Sequence, residues 1–270
     1  MHSPWIIHWS FDPIAFQFGV LTFRWYGLCW LVAFLQAEYL TRRVLAHTGQ
    51  RNVDVSALAV TPLVGTNTVA RLAHCLFYEP AYYLSHPLKI LAIWEGGLAS
   101  HGGVVGFIVA IAWGARRYAK GVSLLALLDA VSLPAALGGA IVRVANFLNS
   151  EILGVPTSGS WGVIFDRVDQ QPRIPVQLFE AVSYVLIAVF LFWQYKRRDA
   201  LDQPGRLTGW FLALVFGVRT ILESWKAPQA AYDAGELVSV GQWLSVPFIL
   251  VGVLLMWRCT KTNEGRIGER

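Results

Sequence analysis

Apolar residues are gathered into long runs along the chain, and polar residues lie between the runs. Each run has about 20 mostly apolar residues, the length that an α-helix needs to cross the hydrocarbon core of a bilayer. The pattern therefore predicts about seven transmembrane helices. Their approximate ranges are 21–40, 56–78, 98–115, 124–147, 176–195, 207–225 and 237–257.

The composition also favours a membrane protein. Hydrophobic residues make up 55% of the 270 residues and charged residues only 14%, with a mean hydropathy of +0.48. A soluble protein of this length needs more polar residues to cover its exterior, so we expect the surplus apolar surface to face lipid. The predicted fold class is an all-α integral membrane protein, with residues 1–270 forming a single polytopic domain.

The basic residues predict the orientation of the chain. Most of the 22 lysines and arginines fall in the loops after the first, third, fifth and seventh runs, which all lie on one side. Since cytoplasmic loops are rich in Lys and Arg, we predict an outer N-terminus and a cytoplasmic C-terminus. The net charge of +5 is explained by these loops, so we expect no nucleic-acid partner.

Two segments are predicted to lie outside the bilayer, on its outer side. Residues 1–20 are aromatic but too short to span, and are interpreted as an arm in the outer interface. Because the N-terminus lacks a basic start and the first long apolar run exceeds the length of a signal-peptide core, we expect no cleaved signal peptide. Residues 149–175, between spans four and five, combine Gly and Pro with Trp161, Val163 and Phe165. This pattern predicts a small outer cap with turns and a short strand or two.

Three arginines lie in or at the ends of the apolar runs, where charge is costly unless it faces the protein interior or a wet cavity. Arg143 shares a helix face with Asn146, and Arg219 shares one with Glu223. Two arginines from different helices can bind one phosphate, because the guanidinium matches phosphate oxygens. For Arg71, a structural ion pair and a functional role are both open.

A histidine between glycines is the candidate general base. His101 lies at the outer end of the third run, beside Gly102 and Gly103. Its position near the membrane surface suits proton transfer at neutral pH. Gly102 and Gly106 also form a GxxxG pattern, which is typical of helix packing.

The cysteines predict neither a disulfide nor a metal site. Cys29, Cys75 and Cys259 are far apart, and no CxxC pair is present. We expect no metal and no cofactor.

Several motifs together resemble the bacterial prolipoprotein diacylglyceryl transferase family, in the family's order, over roughly residues 24–245. The matching segments are 24–28 (RWYGL), 71–74 (RLAH), 97–106 (GLASHGGVVG), 143–154 (RVANFLNSEILG), 161–165 (WGVIF) and 175–181 (PVQLFEA), followed by Arg219 with Glu223. The segment that starts at Arg143 is the specific one.

The resemblance implies a transferase of the bacterial inner membrane, with its active site toward the periplasmic side. Such an enzyme moves a diacylglyceryl group from phosphatidylglycerol to the cysteine thiol of a prolipoprotein, beside its signal peptide, and glycerol phosphate leaves. The implied catalytic residues are His101 as base, with Arg143 and Arg219 on the phosphate. The implied substrate-binding residues are Tyr26, Asn146, Glu151, Gly154 and Glu223.

Five residues depart from the family pattern: Ala145, Ile174, Phe179, Val215 and Lys226. They leave open a divergent, non-catalytic lipid-binding paralogue. A membrane transporter is a further alternative, although such proteins often carry internal repeats and the chain has no visible repeat. An intramembrane protease is disfavoured, because no serine–histidine pair lies across the spans.

Overall fold

The computed structural model describes residues 5–50, 52–77, 79–92, 99–159, 161–197, 203–227 and 240–268, without the side chains of residues 100, 101, 104, 240 and 260–268. Most of these residues are helical. The helices are α1 (Trp25–His47), α2 (Val55–Phe77), α3 (Pro80–Ser85), α4 (Ser100–Tyr118), α5 (Leu124–Leu148), α6 (Val176–Lys196), α7 (Arg206–Glu223) and α8 (Val240–Gly268), with a 3₁₀ turn at Pro87–Leu91.

Two small sheets accompany the helices. The strands within residues 149–175 confirm the short strands predicted there, whereas those within residues 6–24 correct the all-α expectation. The strands are β1 (Ile6–Trp9), β2 (Ile14–Phe18), β3 (Leu21–Arg24), β4 (Gly162–Phe165) and β5 (Pro172–Arg173). One sheet has the order β1-β4-β5, with β1 parallel to β4, and the other is the β2-β3 hairpin. Gly19, with φ of 59°, forms the tight turn of that hairpin. The first predicted span therefore began too early, because apolar strand residues precede α1.

Three described helical segments are long and apolar enough to cross a membrane: Leu124–Leu148, Val176–Lys196 and Gly241–Cys259. On α6, Val182, Leu186 and Val189 each leave at least 59% of their surface exposed, as expected for side chains that face lipid. Other helices carry more polar residues within the predicted spans. The number of spans and their orientation stay predictions.

The chain divides into two compact units, Thr41–Leu127 and the combination of Met1–Leu40 with Leu128–Arg270. In the smaller unit, α2 packs closely on α4. A Cβ atom at Gly106 would lie 2.5 Å from the carbonyl oxygen of Gly65, and one at Gly102 would lie 2.8 Å from that of Val69. This close approach is the helix packing that the GxxxG pattern predicts.

Contacts inside the smaller unit favour a structural role for Arg71. This side chain is buried and donates hydrogen bonds to the backbone oxygens of Lys89 (2.5 Å) and Ile90 (3.1 Å). Its guanidinium also lies 5.0 Å from the ring centre of Tyr83. Arg71 therefore ties α2 to the segment after α3.

In the larger unit, the helical core lies between α5, α6 and α7. Leu133 and Ala140 of α5 pack with Leu191 of α6 and Leu207 of α7. A second apolar cluster joins the end of α5 to the β1-β4-β5 sheet: Phe147, Val163 and Phe165, with Trp9 against them. The sheet is thereby anchored on the end of α5.

An ion pair holds the loop between β4 and β5. The guanidinium of Arg173 hydrogen-bonds both carboxylate oxygens of Asp169 and also donates to the backbone oxygen of Gly154 at 3.1 Å. These hydrogen bonds hold the pKa of Asp169 below its ordinary value. The ionised form stabilises the fold above the ordinary pKa, and this contribution is lost as the pH falls through the lowered one.

A buried carboxylate of α5 caps the start of α7. One oxygen of Asp129 accepts hydrogen bonds from the backbone N–H (2.7 Å) and the hydroxyl (2.6 Å) of Thr208. The other oxygen accepts from the N–H of Gly205 at 2.7 Å. Free N–H groups at a helix start need such acceptors, so Asp129 fixes α7 against α5.

We predict that Asp129→Ala lowers the free energy of unfolding by about 1–3 kcal/mol, because it leaves buried donors of α7 without an acceptor. Thermal unfolding in detergent measures the loss as a lower Tm. Asp129→Asn keeps one acceptor oxygen and should lose less. An Ala variant as stable as the wild type would contradict the capping role.

Candidate active site

Polar side chains at the end of α5 form a connected hydrogen-bond chain. Arg143 Nη1 lies 3.3 Å from Asn146 Oδ1, to which it donates. Asn146 Nδ2 donates to Glu151 Oε2 at 3.4 Å, and Asn149 also donates to the Glu151 carboxylate. The structure thus brings together three predicted site residues, Arg143, Asn146 and Glu151.

The turn after α5 makes this arrangement possible. The N–H of Glu151 bonds the carbonyl of Asn146 at 2.9 Å, and the N–H of Ser150 bonds that of Phe147 at 3.1 Å. This pairing is a Schellman motif, whose first residue past the helix is usually glycine. Here Ser150 and Ile152 both have left-handed φ angles, 56° and 53°. Such backbone costs about 1–3 kcal/mol per residue and persists only where the surroundings hold it.

A fully buried carboxylate joins three helix ends. Glu180 of α6 places Oε2 2.9 Å from Nε of Arg143 and Oε1 3.0 Å from Nζ of Lys226. The same Nζ lies 2.7 Å from Glu223 Oε2 at the end of α7. The two Glu180 contacts are ion pairs by distance, without hydrogen-bond alignment. Removal of either cation would leave a buried charge less compensated, which is strongly unfavourable.

Arg219 differs from the other cations of this cluster. It is half-buried on α7, and no hydrogen bond or ion pair engages its side chain within the described residues. Its charge and that of Arg143 both lie near the hydroxyl of Tyr184 on α6. Among the residues that the structure describes, no group occupies the N–H donors of Arg219, so these donors can bind an anion.

Sequence reasoning missed Glu180 and Tyr184. Both residues are buried, and they share one face of α6 with the fully buried Gln177. Polar residues at positions 177, 180 and 184 of an otherwise apolar helix follow helical spacing, and this stripe was the signal available. Within a predicted lipid-crossing span, it indicates a face turned toward protein.

Gly154 serves close packing. A Cβ atom there would collide with the carbonyl of Ile174 and lie 2.9 Å from its Cβ. Directly after Gly154, the N–H of Val155 donates to the carbonyl of Trp225 at 2.9 Å. Gly154 itself pairs with Lys226 in an isolated antiparallel β-bridge. The glycine thereby fixes the backbone from which Lys226 reaches Glu180, and a contact with substrate stays a prediction.

Two predicted site residues are not linked to this cluster by the described contacts. Tyr26 lies half-buried in the first turn of α1, and no hydrogen bond engages its hydroxyl in the described ranges. The backbone of His101 lies in the first turn of α4, in the smaller unit, and its side chain lies outside the described part.

Of the five residues that depart from the family pattern, one is charged and four are packed apolar residues. Lys226 takes part in the buried ion network. Phe179 packs its ring 6.0 Å from that of Trp225, and Ile174 contacts Gly154. Ala145 is fully buried, and Val215 packs against the helical core.

Comparison with known proteins gives consistent matches over nearly the whole chain. A family model described as prolipoprotein diacylglyceryl transferase matches residues 13–258. Three of the similar proteins, each called phosphatidylglycerol–prolipoprotein diacylglyceryl transferase, illustrate these matches. The one from Tolumonas auensis is 48% identical over 251 residues, covering 93% of this chain and 96% of the relative. Those from Chloroherpeton thalassium (45% identical; 96% of each chain) and Porphyromonas gingivalis (37%; 97% of each) are also similar.

We predict that Gly154→Ala destabilises the protein by about 1–3 kcal/mol, because its Cβ overlaps Ile174. The matched control is Gly217→Ala on α7, where a Cβ atom meets nothing within 4 Å and alanine favours the helix. Thermal unfolding should show a lower Tm for the first variant and an equal or higher Tm for the second. Equal Tm values for both variants would argue against the packing role.

Proposed function

The chain belongs to the prolipoprotein diacylglyceryl transferase family, and on this premise we propose that it transfers a diacylglyceryl group from phosphatidylglycerol to the lipobox cysteine of a prolipoprotein. The products are a thioether and glycerol phosphate. The observation that carries the chemistry is the cationic cluster at the helix ends, in which Arg143 is held by Glu180 and Arg219 has no ion-pair partner among the described residues.

The reaction exchanges a C–O bond for a C–S bond. The cysteine thiolate attacks the glycerol carbon of the lipid, and the electron pair of the broken C–O bond passes to the departing phosphate. Arg143 and Arg219 stabilise the negative charge that grows there, and fixed donors in a poorly solvated site do so most effectively. No protein nucleophile takes part.

The remaining roles follow from the chemistry each side chain offers. His101 accepts the proton of the thiol. Asn146 and Glu151 orient Arg143 and the lipid head, and Tyr26 donates a hydrogen bond to the phosphate. Glu223 holds Lys226, with which it forms an ion pair. Gly154 lets the chain approach the substrate side of the cluster closely.

The proposed setting is the bacterial inner membrane, with seven spans, an outer N-terminus and a cytoplasmic C-terminus. Residues 1–20 form an outer arm and residues 149–175 an outer cap of the single domain. The cluster lies at the end of α5, the start of α6 and the end of α7, and all three belong to the outer side in this orientation. Lipid and signal peptide, both held in the bilayer, would then reach the site from the membrane plane.

We predict that Arg219→Ala lowers the transfer rate to a lipobox peptide about 100-fold or more, the usual effect of losing one charge-stabilising donor. Its Tm should stay near the wild-type value, because no described ion pair is broken. Arg143→Ala should lower both the rate and the Tm, because it leaves Glu180 with Lys226 alone.

Arg167→Ala is the matched control, since this exposed arginine lies on the cap outside the cluster. It should keep rate and Tm. Wild-type rates in both cluster variants would refute the phosphate role. If Arg219→Ala keeps the wild-type transfer rate and Arg143→Ala does not, the phosphate role belongs to Arg143 alone.

A further inference from the structure

Gln177 is a fully buried polar residue that the proposed chemistry does not use. It lies in the first turn of α6, and its amide nitrogen donates to the backbone oxygen of Glu151 at 2.7 Å. Its amide oxygen is buried and has no hydrogen-bond partner in the part of the chain that the structure describes. A buried amide with one short hydrogen bond and one unmet acceptor is costly, so its single contact needs an explanation.

The contact falls on the strained turn after α5. Glu151 lies between Ser150 and Ile152, the two non-glycine residues with left-handed φ angles. Outside glycine such angles are uncommon, and for a β-branched residue they mark real strain. The Schellman bonds hold the turn from the side of α5, and the Gln177 amide holds its carbonyl from α6.

The same turn is the end of the hydrogen-bond chain that reaches Arg143. The carboxylate of Glu151 accepts from Asn146, and Asn146 accepts from Arg143. One turn along α6, Glu180 binds Nε of Arg143 directly. One face of α6 therefore contacts Arg143 in two ways. Glu180 contacts it directly, and Gln177 acts on it indirectly through Glu151.

We propose that Gln177 is a positioning residue, which holds the 150–152 turn so that Glu151 and Asn146 keep the Arg143 guanidinium aimed at the substrate phosphate. The catalytic part of this statement rests on the proposed function, whereas the hold on the turn does not. Gln177 touches no reacting atom, so its loss should act on the rate of the chemical step more than on lipid binding.

Gln177→Leu tests the proposal, with Gln194→Leu as its matched control. Gln194 is a buried glutamine near the other end of α6, and its amide oxygen also lacks a partner within the described residues. The first readout needs no activity: hydrogen–deuterium exchange of the backbone around 146–152 in the full-length protein in detergent. Exchange there should rise about tenfold or more in Gln177→Leu and stay at the wild-type rate in Gln194→Leu. Equal exchange in both variants would overturn the proposal.

The second readout is transfer from phosphatidylglycerol to a lipobox peptide. Gln177→Leu should lower kcat about 10- to 100-fold with the KM for lipid within about twofold, because small displacements of catalytic groups have effects of this size. Gln194→Leu should keep kcat. An equal fall in both variants, in step with Tm, would reduce Gln177 to a stabilising residue. A wild-type protein with no transfer would refute the proposed function, while the exchange measurement still decides the hold on the turn.

A second substitution separates the hold on the turn from other effects of Gln177. Glycine adopts the left-handed conformation without strain, so Ser150→Gly should remove part of the backbone strain in the turn that Gln177 holds in place. In the Gln177→Leu background, Ser150→Gly should then restore kcat at least threefold. No recovery in the double variant would show that Gln177 acts by another route.

Discussion

The carboxylate of Glu180 lies without solvent contact between a guanidinium and an ammonium group, and the rest of the site depends on this arrangement. Removing a carboxylate from water is costly, and nearby cations offset the cost only in close geometry. Arg143 brings the end of α5 to Glu180, and Lys226 brings the segment after α7. At the far end of α7, Asp129 fixes the helix start on α5. The two polar contacts hold α7 at both ends.

This constraint explains how one arginine is held while another is left available. Arg143 has its Nε 2.9 Å from the Glu180 carboxylate, and its Nη1 donates to Asn146. Arg219 lies near Tyr184 and has no ion-pair partner in the described ranges. A phosphate that arrives there would meet fixed donors in a poorly solvated setting, where the donors need little rearrangement as charge develops. The strained turn at Ser150 and Ile152 fits the same account, since strain of this kind gathers where function needs a particular geometry.

Sequence alone could predict what depends on local spacing. The pairing of Arg143 with Asn146 follows from i, i+3 spacing, and the packing of Gly106 follows from the GxxxG pattern. The partners of Arg143 on α6 were missed, because hydropathy reads that helix as apolar and the partners are far away in the chain. The parallel pairing of β1 with β4 was missed for the same reason, since about 150 residues separate these strands. Long-range pairing is decided by tertiary packing, which short motifs do not contain.

The central claim is that this cluster serves transfer of diacylglyceryl from lipid to thiol. The most direct test is mass spectrometry of a lipobox peptide after incubation with the purified wild-type protein and phosphatidylglycerol of defined acyl chains. The account predicts that the peptide gains the mass of one diacylglyceryl group on its cysteine, while glycerol phosphate appears in equal amount. An unmodified peptide, despite a folded protein and bound lipid, would contradict the claim and favour a lipid-binding protein without transferase activity.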